Sequence, residues 1–384
     1  MTTTIGTADA DEGGRRDALA DRLLKSMIGS FELAGVWLGL RLQLYEALRD
    51  QGPATVAELA ERAGIDARYA REWLEQQAVA GLLDVEDAAA DAQARRYRLP
   101  EAHADVLLDA DHPAHAGATA YWIGSLAEVL HRVPGIYRSG EGLPYPEYGA
   151  DCRLAIANFN RPMFVNDLAD WFAAAPELQA RLAADGARVL DAGCGIGWSS
   201  ISLARAFPAL RVDGIDSDDA SIAEARRLAD EAGVADRVRF RVVDAAELGA
   251  AGEGGYAAAF VFEALHDMAR PVEALAAIRA LLADGRVVIV ADEKVAETFT
   301  APGDEVERLN YGFSWWHCLP ASRAETPSAA NGTALRPDTV PRLGRPGRLR
   351  RLPGAARRQR LLALLPADRL RRQPAGPAGP ASAD

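Results

Sequence analysis

Between residues 188 and 244 the chain sets three glycines and three acids where a nucleotide would need them. The run Asp191-Ala-Gly193-Cys-Gly195-Ile-Gly197-Trp-Ser-Ser200 follows a short apolar stretch and leads into a helical pattern. Glycines at alternate positions let the backbone turn sharply and approach a ligand closely, and the helix beyond opens with unpaired N–H groups. The spacing is G-x-G-x-G, not the dinucleotide G-x-G-x-x-G, which turns the reading away from a nicotinamide cofactor. Asp216 ends the next apolar stretch, 19 residues beyond Gly197, where a carboxylate can accept from both hydroxyls of a ribose. Asp244 ends a third stretch, where an adenine amino group would lie, while Asp218 reads as a helix N-cap.

Elements that could hold these residues follow from the same pattern. Strands are expected at about 188–192, 211–216, 238–243, 256–262 and 286–292, with helices between them. Such alternation implies a parallel sheet covered on both faces, and ligands of such sheets sit at the carboxyl ends of the strands.

In these residues the segment from about 185 to 295 resembles the class I S-adenosylmethionine-dependent methyltransferases. With its front, the chain to about residue 340 resembles the bacterial two-domain methyltransferases with an N-terminal winged-helix domain. The resemblance implies an α/β fold with a Rossmann-like sheet behind an all-helical, winged-helix domain, and S-adenosyl-L-methionine as cofactor. It implies that the Asp191–Gly197 turn, with Gly193 and Gly195, holds the methionine moiety, Asp216 the ribose, and Asp244 with Ala245 the adenine. It further implies that the winged helix shapes a homodimer and the substrate pocket.

The fourth strand runs into Phe260-Val-Phe-Glu263-Ala-Leu-His266-Asp267, near where an acceptor should lie. His266-Asp267 resembles the His-Asp pair of small-molecule O-methyltransferases, whose histidine is the general base; a histidine here can also simply pack the loop. Glu263 is the next candidate for the base, and Asp292 and Glu293 could orient His266 or touch the acceptor. No Asn/Asp-Pro-Pro-Tyr/Phe motif follows the fourth strand, which argues against methylation of a nucleobase amine. The carboxylate set of metal-dependent catechol enzymes is not evident, so no metal is expected. Tyr145 and Tyr148, in the stiff loop Gly140-Glu-Gly-Leu-Pro-Tyr-Pro-Glu-Tyr-Gly149, could belong to a lid. Trp315, Trp316 and His317 could wall a flat apolar acceptor or cover the sheet.

Ahead of this domain, residues 1–20 read as a disordered terminus and residues 21–105 as a helical and winged-helix domain. From Asp21 to Leu48 apolar residues recur at helical spacing over an arc wide enough to need a partner. Thr55 and Glu58 form a capping-box pattern, Gly64 and Gly81 stop two helices, and short strands at 82–86 and 95–99 make the wing. Residues 53–100 hold nine acids and six arginines, a poor surface for DNA. Residues 106–180 read as a helical linker or lid, and 181–340 as the methyltransferase domain.

The net charge is −12, yet residues 341–384 hold 11 arginines and two acids, leaving −21 on residues 1–340. An acidic body repels a phosphate backbone, so nucleic acid is not an expected partner. No membrane span or leader is evident, which points to the cytoplasm. Cys152, Cys194 and Cys318 lack paired spacing and suggest neither disulfides nor a zinc knuckle.

The last segment breaks the pattern. After Leu335-Arg-Pro-Asp-Thr339, where a final helix and strand pair should begin, residues 341–384 hold seven prolines, five glycines and no aromatic residue. It reads as a basic tail for anionic surfaces, as disorder or, preferred here, as out-of-frame translation of GC-rich DNA. On that reading strands six and seven are absent or corrupted, and the edge beside strand five is open.

The expected activity is therefore O-methylation of an aromatic or polyketide-like small molecule. The chief rival is a winged-helix regulator sensing S-adenosylmethionine or another ligand; a third is a partner subunit without turnover.

Overall fold

The computed structural model describes residues 6–250, 254–336, 349–351 and 359–364. The chain divides into two compact units, residues 1–128 with 149–162, and residues 129–148 with 163–384. The segment 106–180, expected as one linker, is shared between them.

The first unit begins with the helix α1 (Gly6–Arg41). Residues 6–20, expected to be disordered, are thus helical backbone: the stretch has no proline, and its alanines favour continuation of the amphipathic pattern that follows. Gln43 at φ 55° breaks the expected single helix, and α2 (Leu44–Gln51) follows. Next come α3 (Val56–Ala63) and α4 (Ala67–Val79). In α3 the Thr55–Glu58 capping box forms, with Glu58 N–H donating to Thr55 Oγ1 at 3.4 Å and Thr55 N–H to Glu58 Oε2 at 2.8 Å. Strands β1 (Asp84–Val85) and β2 (Tyr97–Arg98) pair antiparallel as the wing. The core gathers Leu44, Tyr45, Leu48, Leu59, Trp73, Leu74 and Tyr97.

On α1, by contrast, Leu23, Leu24, Met27, Ile28 and Phe31 are exposed, Phe31 at 66%. The segment Glu12–Arg41 is also long and apolar enough, by length and composition, to cross a membrane. Lys25 and Glu32 interrupt its apolar residues, so the sequence shows no uninterrupted apolar run of spanning length there.

The second unit carries the sheet. Its parallel strands are β3 (Arg188–Ala192), β4 (Arg211–Asp216), β5 (Val238–Val242), β6 (Tyr256–Phe262) and β7 (Leu282–Glu293). Strands β8 (Leu349–Arg351) and β9 (Gln359–Leu364) complete the order β5-β4-β3-β6-β7-β9-β8. β3 lies between β4 and β6, so the strand order reverses there and opens a crevice at the carboxyl ends. Leu190, Ile215, Tyr256, Val261 and Val288 lie in the core on this sheet.

The expectation that no strand could form after residue 340 is overturned. β9 pairs antiparallel with β7 from Val288↔Leu364 to Glu293↔Gln359, and β8 pairs with β9. The window Gln359–Leu364 lies between Pro353 and Pro366 and contains no proline or glycine, so every residue in it can join a ladder. The edge of β7, otherwise a row of unpaired backbone groups, supplies the template. The rest of the tail lies outside the described residues.

Candidate active site

The glycine turn after β3 is tied to β4: Gly193 N–H and Cys194 N–H both donate to Ile215 O, at 2.8 and 3.0 Å. Gly193 has φ +73°, and a Cβ there would lie well under 3.0 Å from Ala264 Cβ, so the turn and the loop after β6 are packed against each other. Gly195, at φ +52°, would meet nothing within 4 Å and borders open space. Gly197 caps the helix Trp198–Ala206.

Two acids frame that turn. Asp191 is fully buried, and its Oδ2 accepts from the Ser199 and Ser200 hydroxyls, each at 2.6 Å. Burial pushes its pKa up to about 6, and Oδ1 has no hydrogen-bond partner among the described residues. Asp216 accepts from Gly195 N–H and Asp218 N–H, both at 2.9 Å, which fixes its carboxylate at the end of β4. Each of its oxygens keeps a second lone pair. Asp218 accepts from Ser221 N–H at 2.8 Å as the N-cap of the helix Asp219–Glu231, as its position suggested.

Asp244 stands just beyond β5. Its Oδ1 accepts from Ala246 N–H at 2.8 Å, and its Oδ2 pairs with Arg270, which also reaches Glu247 at 3.0 Å. Ala245 is buried beside it. Arg270 was missed in the sequence, where nothing marks a loop arginine as the partner of an acid 26 residues earlier.

At the end of β6 and β7 the structure gathers a second group. Glu263 has φ +52°, sparsely populated for a non-glycine residue, and is held there by its N–H donating to Ala291 O at 2.8 Å. His266 is 4% exposed, and its Nδ1 lies 2.8 Å from Asp292 Oδ1. The adjacent Asp267 faces Nε2 at 3.5 Å. The sequence pair His266-Asp267 is therefore not the tight pair; the orienting acid is Asp292, from the neighbouring strand. Burial alone would lower the His266 pKa, but the charges of Asp267 and Asp292 outweigh it and lift the value well above the usual histidine range.

Glu263 and Glu293 hydrogen-bond to each other, so one of the two carboxyls holds a proton between them. Burial, with the charges of Glu293 and Asp292, carries the Glu263 pKa far above the carboxylate range. A carboxyl kept protonated is a donor and a poor base.

The aromatic run after the sheet is helical. The helix Glu305–Phe313 continues as a wide π-helical turn over Ser314–Cys318, a form often found at functional sites. Tyr145 and Tyr148 stand edge-on to His317, with centroids 5.9 and 4.7 Å away. Tyr148 is fully buried and donates to Trp316 O at 2.9 Å, which makes it a strut of the loop. Trp316 and His317 are buried, and burial lowers the His317 pKa, so its ring is neutral. Trp315 is 40% exposed and turns to another side, where its carbonyl accepts from Tyr137 OH at 3.1 Å. Cys318, to which the sequence assigns no role, has its Sγ 3.5 Å from His317 Nδ1 and within 4.8 Å of a ring nitrogen of His266.

Residues 189–285 match the family model described as a methyltransferase domain, and residues 33–108 match that of the Rv2258c-like winged HTH domain. A curated relative, an uncharacterised protein of Synechococcus, is 34% identical over 104 residues; the match spans 26% of this chain and 24% of the relative's length. Among solved structures, the mitomycin 7-O-methyltransferase MmcR is 19% identical with TM-score 0.64, covering 92% of this chain and 100% of that one. A putative O-methyltransferase from Nostoc punctiforme is 19% identical with TM-score 0.62, covering 91% and 98%. Human N-acetylserotonin methyltransferase, solved in complex with SAM, is 16% identical with TM-score 0.61, covering 90% and 97%. At such identities the likeness is one of fold.

Proposed function

We propose that this chain, which joins a class I methyltransferase domain to a winged-helix domain, methylates a hydroxyl of a small aromatic or polyketide-like acceptor, in the cytoplasm and as a homodimer. S-adenosylmethionine is its cofactor, and the residues present fit it. The unpartnered Asp191 Oδ1 would receive the ammonium of the methionine moiety beside the open face at Gly195. Asp216 would take the ribose hydroxyls, and Asp244 with Ala245 the adenine edge. When bound, S-adenosylmethionine supplies an electrophilic methyl group together with its own leaving thioether.

What the chain's own residues must do is orient the acceptor, exclude water and take a proton. The observation that carries the reading is the buried His266, whose ring is fixed through Nδ1 by Asp292 at 2.8 Å. That bond fixes the ring so that Nε2, once it has lost the proton that Asp267 and Asp292 favour on it, can accept the acceptor's hydroxyl proton, and the imidazolium so formed is stabilised by the same two acids. Tyr145, Trp316 and His317 would form the wall against which a flat acceptor lies, with Trp315 and Tyr148 supporting it from outside and behind.

The test is a panel of phenolic and polyketide-like acceptors scored by release of the demethylated cofactor, with cofactor binding measured by calorimetry. His266→Ala is expected to leave cofactor binding intact and to lower turnover by roughly 10²–10⁴-fold. Equal turnover in that variant would remove His266 as the base, and no cofactor binding by the folded protein would end the reading.

A DNA-reading role is not favoured. On α4 and the wing, Arg68 pairs with Glu72 at 2.5 Å, Arg71 with Glu75 at 3.0 Å, Arg95 with Glu75 at 3.1 Å and Arg96 with Glu58 at 3.1 Å. Arginines neutralised in place offer little to phosphates. The exposed apolar stripe of α1 suits a second copy of this chain, as surface patches of that kind mark interaction sites.

A further inference from the structure

The side chains of His266, Asp267 and Cys318 offer a nitrogen, an oxygen and a sulfur atom that all lie within 4.8 Å of one another. Methyl transfer as argued above uses the first of these and gives no role to the thiol. His266 and Cys318 are buried, and Asp267 Oδ1 is a buried oxygen with no hydrogen-bond partner among the described residues. His266 Nε2 and Asp267 Oδ1 are 3.5 Å apart, about the separation of two ligands around a tetrahedral zinc ion with bonds of about 2.0–2.3 Å. Moreover, Nδ1 of the same ring is held by Asp292 at 2.8 Å, the arrangement in which a carboxylate orients a histidine and raises its basicity toward a metal.

We propose that His266 Nε2, the Asp267 carboxylate and Cys318 Sγ form a three-ligand site for a thiophilic divalent cation of the zinc type, and that its occupation switches methyl transfer off. A mixed nitrogen, sulfur and oxygen set suits zinc and disfavours magnesium or calcium, which take oxygen ligands. Three protein ligands leave a fourth position for water or for the acceptor's oxygen. Binding forms one bond from each donor to the cation and releases to solvent the thiol proton of Cys318 and any proton on Nε2. The lone pair that would take the acceptor's proton is then committed to the metal. The inhibitory half of the proposal rests on the methyl-transfer reading, whereas the binding half does not.

Equilibrium dialysis of the purified full chain against Zn²⁺ separates the two halves, since it needs neither cofactor nor acceptor. Close to one Zn²⁺ should be retained per chain, and Co²⁺ in its place should show a thiolate-to-metal charge-transfer band. Cys318→Ser should abolish the band and weaken Zn²⁺ retention at least about tenfold. Asp292→Asn, which loosens the histidine, should weaken retention by about 10–100-fold. With an acceptor in hand, equimolar Zn²⁺ should inhibit the parent chain and spare Cys318→Ser, with reversal by a chelator. Substoichiometric retention, or retention equal in the parent and Cys318→Ser, overturns the site. Should Cys318→Ser fail to fold, the absence of a thiolate band in the Co²⁺-loaded parent overturns it equally. Stoichiometric zinc without inhibition keeps the site and overturns its regulatory role.

Discussion

Placing a methyl group on Gly193 tests how the glycine turn after β3 and the loop after β6 hold each other. Gly193→Ala meets two obstacles: a φ of +73°, and a Cβ that would lie well under 3.0 Å from Ala264 Cβ. A left-handed backbone costs an L-residue about 1–2 kcal/mol, and overpacking by a methyl costs typically about 1–3 kcal/mol. The single variant should therefore lose about 2–5 kcal/mol in urea denaturation, a large share of the stability of an ordinary domain. Adding Ala264→Gly removes the collision and leaves the dihedral strain. The double variant should regain about 1–3 kcal/mol relative to Gly193→Ala, and that coupling is what a double-mutant cycle measures. Cofactor affinity, followed by calorimetry, should fall in the single variant and recover in part in the double. Additivity of the two changes to within about 0.5 kcal/mol would refute the claim that the Gly193 turn and the β6 loop are in contact.

Asp191 gives a pH dependence with a defined sign. Its pKa near 6 in the free protein lies above the ordinary aspartate value, so the buried group costs stability as pH rises from about 4 to 6. A cofactor that carries its ammonium throughout that range needs the carboxylate, so its affinity should fall about tenfold per pH unit below 6 and level off above; calorimetry from pH 5 to 8 checks this, and a flat profile would separate Asp191 from the ammonium. Deleting residues 341–384 uncovers the β7 edge from Val288 to Glu293, so the truncated chain should melt at lower temperature, aggregate and lose turnover; unchanged melting and elution on size exclusion would count against the β7–β9 pairing. Phe31→Glu on the exposed face of α1 should convert a dimer to a monomer in sedimentation experiments, and a dimer that persists would move the interface elsewhere.

The parallel half of the fold was legible because its signals are local. Each expected strand appears within a few residues of its place, since apolar runs bounded by glycines and acids mark β3 to β6 directly. The Thr55–Glu58 cap was readable for the same reason, its two partners being three residues apart. What could not be read was the pairing between distant segments. The sequence offered Asp292 as one acid that could orient His266 but could not choose it over the adjacent Asp267, because that depends on the lateral register of β6 and β7. Likewise the tail was judged by its overall proline and glycine content, whereas six residues between two prolines sufficed to add a strand to an open edge.

That added strand bears on the chemistry as well as on closure of the sheet. β9 pairs with Asp292 and Glu293 themselves, the two residues that end β7 at the histidine. An edge strand frays at its ends, and a frayed β7 would free Asp292 from His266 and Glu293 from Glu263. With the ladder continued to Gln359↔Glu293, the carboxylates are fixed to the last residue of the strand, which is where orientation of the imidazole is decided. The same acids set the charge around the ring. Asp267 and Asp292 face it, while Glu263 and Glu293 share a proton between them, so less negative charge gathers there than four separate carboxylates would carry. On the proposed reading, a surplus of that sign would favour a cationic sulfonium over the neutral thioether it becomes, so the same side chains would help both binding of the cofactor and release of its product. The proton shared by the two glutamates keeps the surplus small enough to be buried at all.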